Sequence, residues 1–288
     1  MARTGLIYES NTSEQAATVK KLMFILGAGR YFKTSEFVPE LRDTYDFYFI
    51  GGPASDGTPD ARITNFVSNN LGWLKNKRVA LFALGTLGTA SDSGFTTLTS
   101  MLGDAVLGHE VVNTGNVAAI AETGLRVKAL RDAGDVKLPA PELKQHIEKF
   151  LGGHKYCTLC TGYGNRVRGT AVTYKYHEGH MYIVCEGAAK FANLILNDNV
   201  CIAMHAPFQG VGTAGLQLTG KVKILDPASD SYRRMMEIKG SDYQRLTHLP
   251  WILWGLDVKL AKAEFWWAEW RNQGIGPKQT YIFEEARK

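Results

Sequence analysis

The sequence predicts two domains: a doubly wound α/β domain with a parallel sheet over residues 1–151, then a mostly β barrel over residues 155–288. Three observations carry this. In the first part, short apolar runs alternate with segments of helical period, as in a parallel sheet covered on both faces. Gly152-Gly153 then ends the last helical segment, and from Lys155 onward strand runs with few helices point to a closed or partly closed barrel. The length of 288 residues also exceeds the roughly 100–200 of one domain.

The first-domain strands are Gly5–Tyr8, Asp46–Gly51, Arg78–Leu84 and Glu110–Val112. After the first, Thr12 and Gln15 have capping-box spacing, and Val19, Leu22, Met23 and Leu26 form one apolar helix face. Pro59 opens the next helix, whose apolar positions are Ile63, Phe66, Val67 and Leu74. Phe95, Leu98, Leu102 and Ala105 mark a third helix, and Leu143, Ile147, Phe150 and Leu151 a last one. Ligands of such sheets bind at the carboxyl ends of strands. Those ends read Ser10–Ser13, "GGPASDGTP" from Gly51 and "LGTLGTASDSG" from Leu84, all rich in Gly, Ser and Thr. The turn at Ser10–Ser13 reads both as a helix cap and as an anion site.

In the second domain, strands fill Lys155–Val184 around a turn at Glu178-Gly179, and "EGAAKFANLILNDN" inserts a short helix and a turn. Further strands are expected at Cys201–His205, Gly215–Leu225, Leu256–Trp270 and Thr280–Phe283, with a helix at Pro227–Ile238 between them.

Residues 1–150 hold 16 Lys+Arg and 16 Asp+Glu, and residues 151–288 hold 17 and 12, so the net +5 resides in the second part. Such a spread excess suits an anionic small ligand, and the clustered basic stripes of nucleic-acid binders are lacking. The longest uncharged run, Val200–Gly220, is broken by Pro207 and several glycines, so no membrane span is expected. The lack of a secretion signal and the four cysteines suggest a reduced, cytoplasmic protein.

With these residues in view, the first domain resembles flavodoxin-like domains, through its strand, hydroxyl loop and helix order, "YDFYFIGGP" and "KNKRVALFALGT". The second resembles the FMN-binding split barrels related to pyridoxamine phosphate oxidase. Its bearing stretch is "GNRVRGTAVTYKYHEGHMYIVCEGAAKFANLILNDNV". That resemblance implies FMN at a homodimer interface, its phosphate held by Arg168 and Lys190. The family's usual Ser before the Lys is Ala188 here, and a second basic residue of the oxidase falls on Thr173. Strict alternation puts Arg168 and Thr173 on opposite faces, so both reach one flavin only through a bulge, whereas Thr170 shares the Arg168 face. Gln217 is a further flavin contact, and Ser10 and Thr12 are the corresponding candidates in the first domain. The loops of that domain offer no aromatic residue to stack on a flavin ring, so its turn reads first as a cap.

Other motifs weigh less. Cys157-x-x-Cys160 lacks the second pair of a zinc site, and Cys157, Cys160, Cys185 and Cys201 read as core thiols. His177-x-x-His180 reads as exposed turn polarity. Trp251, Trp254, Trp266, Trp267 and Trp270 suit a dimer interface or a wall over a planar cofactor. No nucleophile triad, paired carboxylates or phosphate-loop lysine stands out, so no catalytic side chain is named. Flavin chemistry needs none, because the ring itself carries the hydride. The expectation is a homodimeric FMN oxidoreductase, of flavin reductase or nitroreductase type, acting on a small organic substrate. NAD(P)H or a protein would be its electron donor. The alternative is a haem or tetrapyrrole protein on the same barrel, with His205 as iron ligand.

Overall fold

The structure is a computed structural model and describes residues 2–55, 58–85, 93–206 and 213–283. The chain forms two compact units, Met1–Asp135 and Val136–Lys288. No helix among the described residues is long and apolar enough to cross a membrane.

In the first unit, strands β1 (Thr4–Tyr8), β2 (Gly29–Lys33), β3 (Phe47–Ser55), β4 (Thr58–Pro59), β5 (Arg78–Gly85) and β6 (Val106–Asn113) alternate with helices α1 (Ser13–Leu26), α2 (Ala61–Leu74), α3 (Ser93–Leu102) and α4 (Val117–Asp132). The sheet runs β2-β1-β3-β5-β6, all parallel, with the short β4 antiparallel to the end of β3. Counting the parallel strands alone, this is the flavodoxin-like order 2-1-3-4-5. Alternation along the strands makes two cores. Leu6, Phe47, Phe49 and Phe82 pack with Val19 and Leu22 of α1 and Ile120 and Val127 of α4. Ile7, Tyr48, Ile50 and Leu81 pack with Ile63 and Val67 of α2 and Phe95 and Leu98 of α3. The apolar run of each central strand is therefore consumed on both faces.

The second unit opens with α5 (Ala140–Gly153), then β7 (Tyr156–Tyr163), β8 (Arg166–Thr173), β9 (Lys175–His177), β10 (His180–Cys185), α6 (Ala189–Leu194), β11 (Asn199–His205) and β12 (Ala214–Leu225). It closes with α7 (Asp230–Lys239), α8 (Tyr243–Thr247), β13 (Trp254–Trp267) and β14 (Lys278–Ile282). The antiparallel sheet runs β8-β7-β11-β12-β13-β10-β9, with β14 also on β13, and curls around one core. Its inward residues include Leu159, Val172, Met181, Ile183, Ile202, Leu216, Leu218, Leu256, Val258 and Phe265. At the β9–β10 turn, Glu178 and Gly179 both have positive φ, 48° and 81°, the sense that matches strand twist in a two-residue hairpin.

Five expectations change. Pro59 does not open the second helix, for it ends β4, and Asp60 caps α2 by accepting from Arg62 N. The helix expected to end the first domain belongs to the second unit, because Leu143, Ile147 and Leu151 of α5 pack in the barrel core. Trp270 is buried in that core, on a 3-10 turn beyond β13, so it is no interface residue. His180 is no free turn residue, since its Nδ1 lies 2.6 Å from Asp257. Cys157 is core, but Cys160 and Cys201 are only partly buried, on the outward face of the sheet.

Candidate functional site

Strand β8 fixes the first part of the site. It pairs with β7 without a register shift, Arg168 opposite Thr161 and Thr170 opposite Leu159. Because opposed residues share a face, Arg168 and Thr170 lie with buried Leu159 and Thr161 on the inward side. Arg168 is exposed at the edge of that side. Thr170 is partly buried, and its Oγ1 is enclosed without a hydrogen-bond partner. Asn193 of α6, also buried, donates Nδ2–H to Thr161 Oγ1 at 3.2 Å and leaves its Oδ1 unpartnered.

Lys190 lies in the first turn of α6 and is only 6% exposed. Its Nζ donates to Glu186 O and Gly187 O, both at 2.8 Å, and lies 5.2 Å from the Phe191 ring centroid. Among the described residues it has no carboxylate partner. Two carbonyl dipoles compensate a buried cation only in part. Burial pushes the neighbouring Cys185 thiol up, and Lys190 works against that rise. The bend that delivers Lys190 is strained. Ala188 has φ 89° and ψ −175°, a region almost reserved for glycine, at a cost of order 1–3 kcal/mol.

The outward face of the same sheet carries the other candidates. The strand register places Ala171, Thr158, Ala203, Gln217, Glu264 and Thr280 in one row across five strand pairs. Gln217 is exposed there and lines a hollow of about 500 Å³ with His205, Trp266 and Lys278. Small side chains at Thr158 and Ala203 keep its floor low. Burial works to raise Glu264, but Lys278 at 2.8 Å and Lys262 at 3.4 Å outweigh it and hold the carboxyl below its usual range. Thr173 also faces outward, opposite Tyr156. With no bulge in β8, one chain does not bring Thr173 and Gln217 to the face of Arg168 and Thr170.

A third feature was not legible in the sequence. Between α5 and the ends of β12 and β13 lies a cleft of about 650 Å³, lined by His146, Phe150, His154, Phe265 and Trp267, with Lys149 and Glu269 also on its wall. His154 donates Nδ1–H to Phe150 O at 2.7 Å and stacks on the Phe150 ring, 4.1 Å between centroids. His205 Nδ1 lies 3.2 Å from Ala206 O.

In the first unit, the turn after β1 is committed to α1. Thr12 Oγ1 accepts from Gln15 N at 3.2 Å, and Gln15 Oε1 accepts from Asn11 N at 2.8 Å. Ser10 is half-buried beside them. The adjacent strand end is occupied by charge already paired: Arg62 bonds Glu9 at 2.9 Å, Asp60 at 2.6 Å and Asn11 at 2.7 Å. Two carboxylates at this edge oppose a phosphate. The loop at 56–57 and most of the Gly/Ser/Thr-rich stretch at 86–92 lie outside the described residues.

No protein-family profile and no curated protein matches the sequence. Among solved structures the chain is similar to a FAD-binding protein of Mesorhizobium loti, at 14% identity over 42% of this chain and 90% of that one, TM-score 0.36. It is also similar to a Listeria innocua protein assigned as a pyridoxamine 5′-phosphate oxidase, at 17% identity over 43% and 97%, TM-score 0.34. A haem-binding protein of Mycobacterium smegmatis matches at 16% identity over 52% and 61%, TM-score 0.39.

Proposed function

We propose that the protein is an FMN-dependent oxidoreductase acting on a small organic substrate, with the flavin in the second unit and NAD(P)H or a protein as electron donor. The observation that carries this reading is Lys190, a buried lysine with no carboxylate partner among the described residues, held by a strained bend beside α6. The donor set suits a phosphate: Lys190 supplies a point charge, Arg168 a planar fork, and Thr170 a hydroxyl that lacks a partner among the described residues. When bound, FMN supplies the hydride-accepting ring. The chain's own residues bind and orient it. Gln217 and Thr173, on the opposite face, meet the same flavin when a second copy of the chain supplies that face, which is why the reading includes a homodimer.

Each charge-assisted bond is worth about 1.5–3 kcal/mol, so removing two weakens FMN about a hundredfold or more. The experiment titrates FMN fluorescence into wild type and into the Arg168→Ala, Lys190→Met double variant, with circular dichroism as the folding control. Methionine preserves most of the buried stem of Lys190. A folded double variant that keeps wild-type affinity would overturn the assignment.

A second reading, a tetrapyrrole on the same barrel, is favoured by one observation. His154 and His205 line hollows of about 650 and 500 Å³, each with Nδ1 on a backbone carbonyl, so that Nε2 is the nitrogen a metal would take.

A further inference from the structure

Cys160 and Cys201 are far apart in sequence but stand directly opposite each other across the antiparallel pair β7–β11. In such pairs opposed Cα atoms are about 4.5 or 5.5 Å apart, and both spacings lie within the roughly 4.4–6.8 Å that a disulfide spans. Opposed side chains leave the sheet on the same face. Here it is the outward face, and both thiols are free and partly exposed. Cys157, by contrast, points into the core, where burial pushes its thiol up to about 12. The apparent motif Cys157-x-x-Cys160 therefore splits its two thiols between opposite faces. The row flanking the pair is open on one side, since Gly169 stands next to Cys160 on β8 and carries no side chain. On the other side Thr219 stands next to Cys201, with Lys262 opposite Thr219. Burial, then Cys160 and Glu264, raise the Cys201 thiol, and Lys262 offsets only part of that rise.

We infer that Cys160 and Cys201 are a thiol–disulfide exchange site, closing a reversible cross-strand disulfide that staples β7 to β11. The oxidant is a low-molecular-weight disulfide. One cysteine thiolate attacks a sulfur of that disulfide, forming a mixed disulfide and releasing one small thiol. The opposed cysteine, after losing its proton, attacks the protein-side sulfur of the mixed disulfide and releases the second small thiol. Two protein thiols become one disulfide, and two electrons with two protons reduce the small disulfide to two thiols. The staple joins the strands that carry Thr158 and Ala203, the floor of the outward hollow, and it forms whether or not a flavin is present.

The test incubates the full chain with glutathione disulfide, quenches in acid, alkylates free thiols and maps peptides by mass spectrometry. Alkylated cysteines fall from four to two, and one peptide pair joins Cys160 to Cys201. In Cys160→Ser, a single glutathione adduct on Cys201 replaces the cross-link. Phenylarsine oxide, which bridges neighbouring thiols, binds one per reduced wild-type chain and loses that stoichiometry in either single variant. Four alkylated cysteines after oxidation would overturn the inference. So would a link from Cys160 to Cys157, or separate adducts on Cys160 and Cys201.

Discussion

At Ala188 the backbone gives up stability to set where α6 begins and where Lys190 lies. The positive φ of Ala188 turns the chain so that α6 begins where Lys190 folds back onto Glu186 O and Gly187 O. Glycine adopts this conformation without steric cost, so Ala188→Gly is expected to stabilise the protein by about 1 kcal/mol. Urea unfolding measures it, and a loss of stability would show that the bend is not strained. The strain was invisible in the sequence, where Ala188 read only as a missing serine hydroxyl. Lys190 was legible as a lysine in the first turn of a helix, where it opposes the dipole. Asn193 was not, because its buried bond to Thr161 depends on a helix and a strand meeting in space.

Elements with strong periodicity were read correctly. Strands β1, β3 and β5 are continuous apolar runs, and the stripe Val19, Leu22, Met23, Leu26 became the buried face of α1. Strand β2 escaped because it is a sheet edge with Phe32 as its one buried residue, leaving neither run nor alternation. Helix α5 was recognised but given to the wrong neighbour, since an apolar stripe says that a face is buried and not what covers it. In β8 the period of two by itself separates Arg168 and Thr170 from Thr173. The opposition of Cys160 and Cys201 could not be read, because register between distant strands is set by the whole sheet. For α1 the cap reading has a direct consequence. Thr12→Ala should cost about 1 kcal/mol by thermal melting and leave bound FMN unchanged. Loss of flavin in that variant would mean that the turn holds phosphate after all.

At the scale of the molecule, both units rely on depressed carboxyls. In the first, Arg62 hydrogen bonding holds Asp60 down, and Asp132 is lowered although burial opposes it, through Lys128 and the fully buried Arg131. In the second, Lys278 and Lys262 do the same for Glu264. A carboxyl whose folded pKa lies below its unfolded value of about 4 contributes its full stabilisation above that value. The contribution is lost as pH falls through the folded pKa. Urea unfolding is thus expected to give a plateau above about pH 5 and a decline below about pH 4. Stability that rises on acidification would contradict these pairings.

The proposed function assigns one flavin per chain to the second unit, since the carboxyl edge of the first carries charges that are already paired. The most direct measurement is the visible spectrum of the purified protein, followed by denaturation and quantification of released flavin. The expected result is a flavin spectrum and one FMN per chain. Two per chain would show that the Thr12 turn is also a flavin site, and no flavin with a Soret band instead would contradict the central claim in favour of a tetrapyrrole.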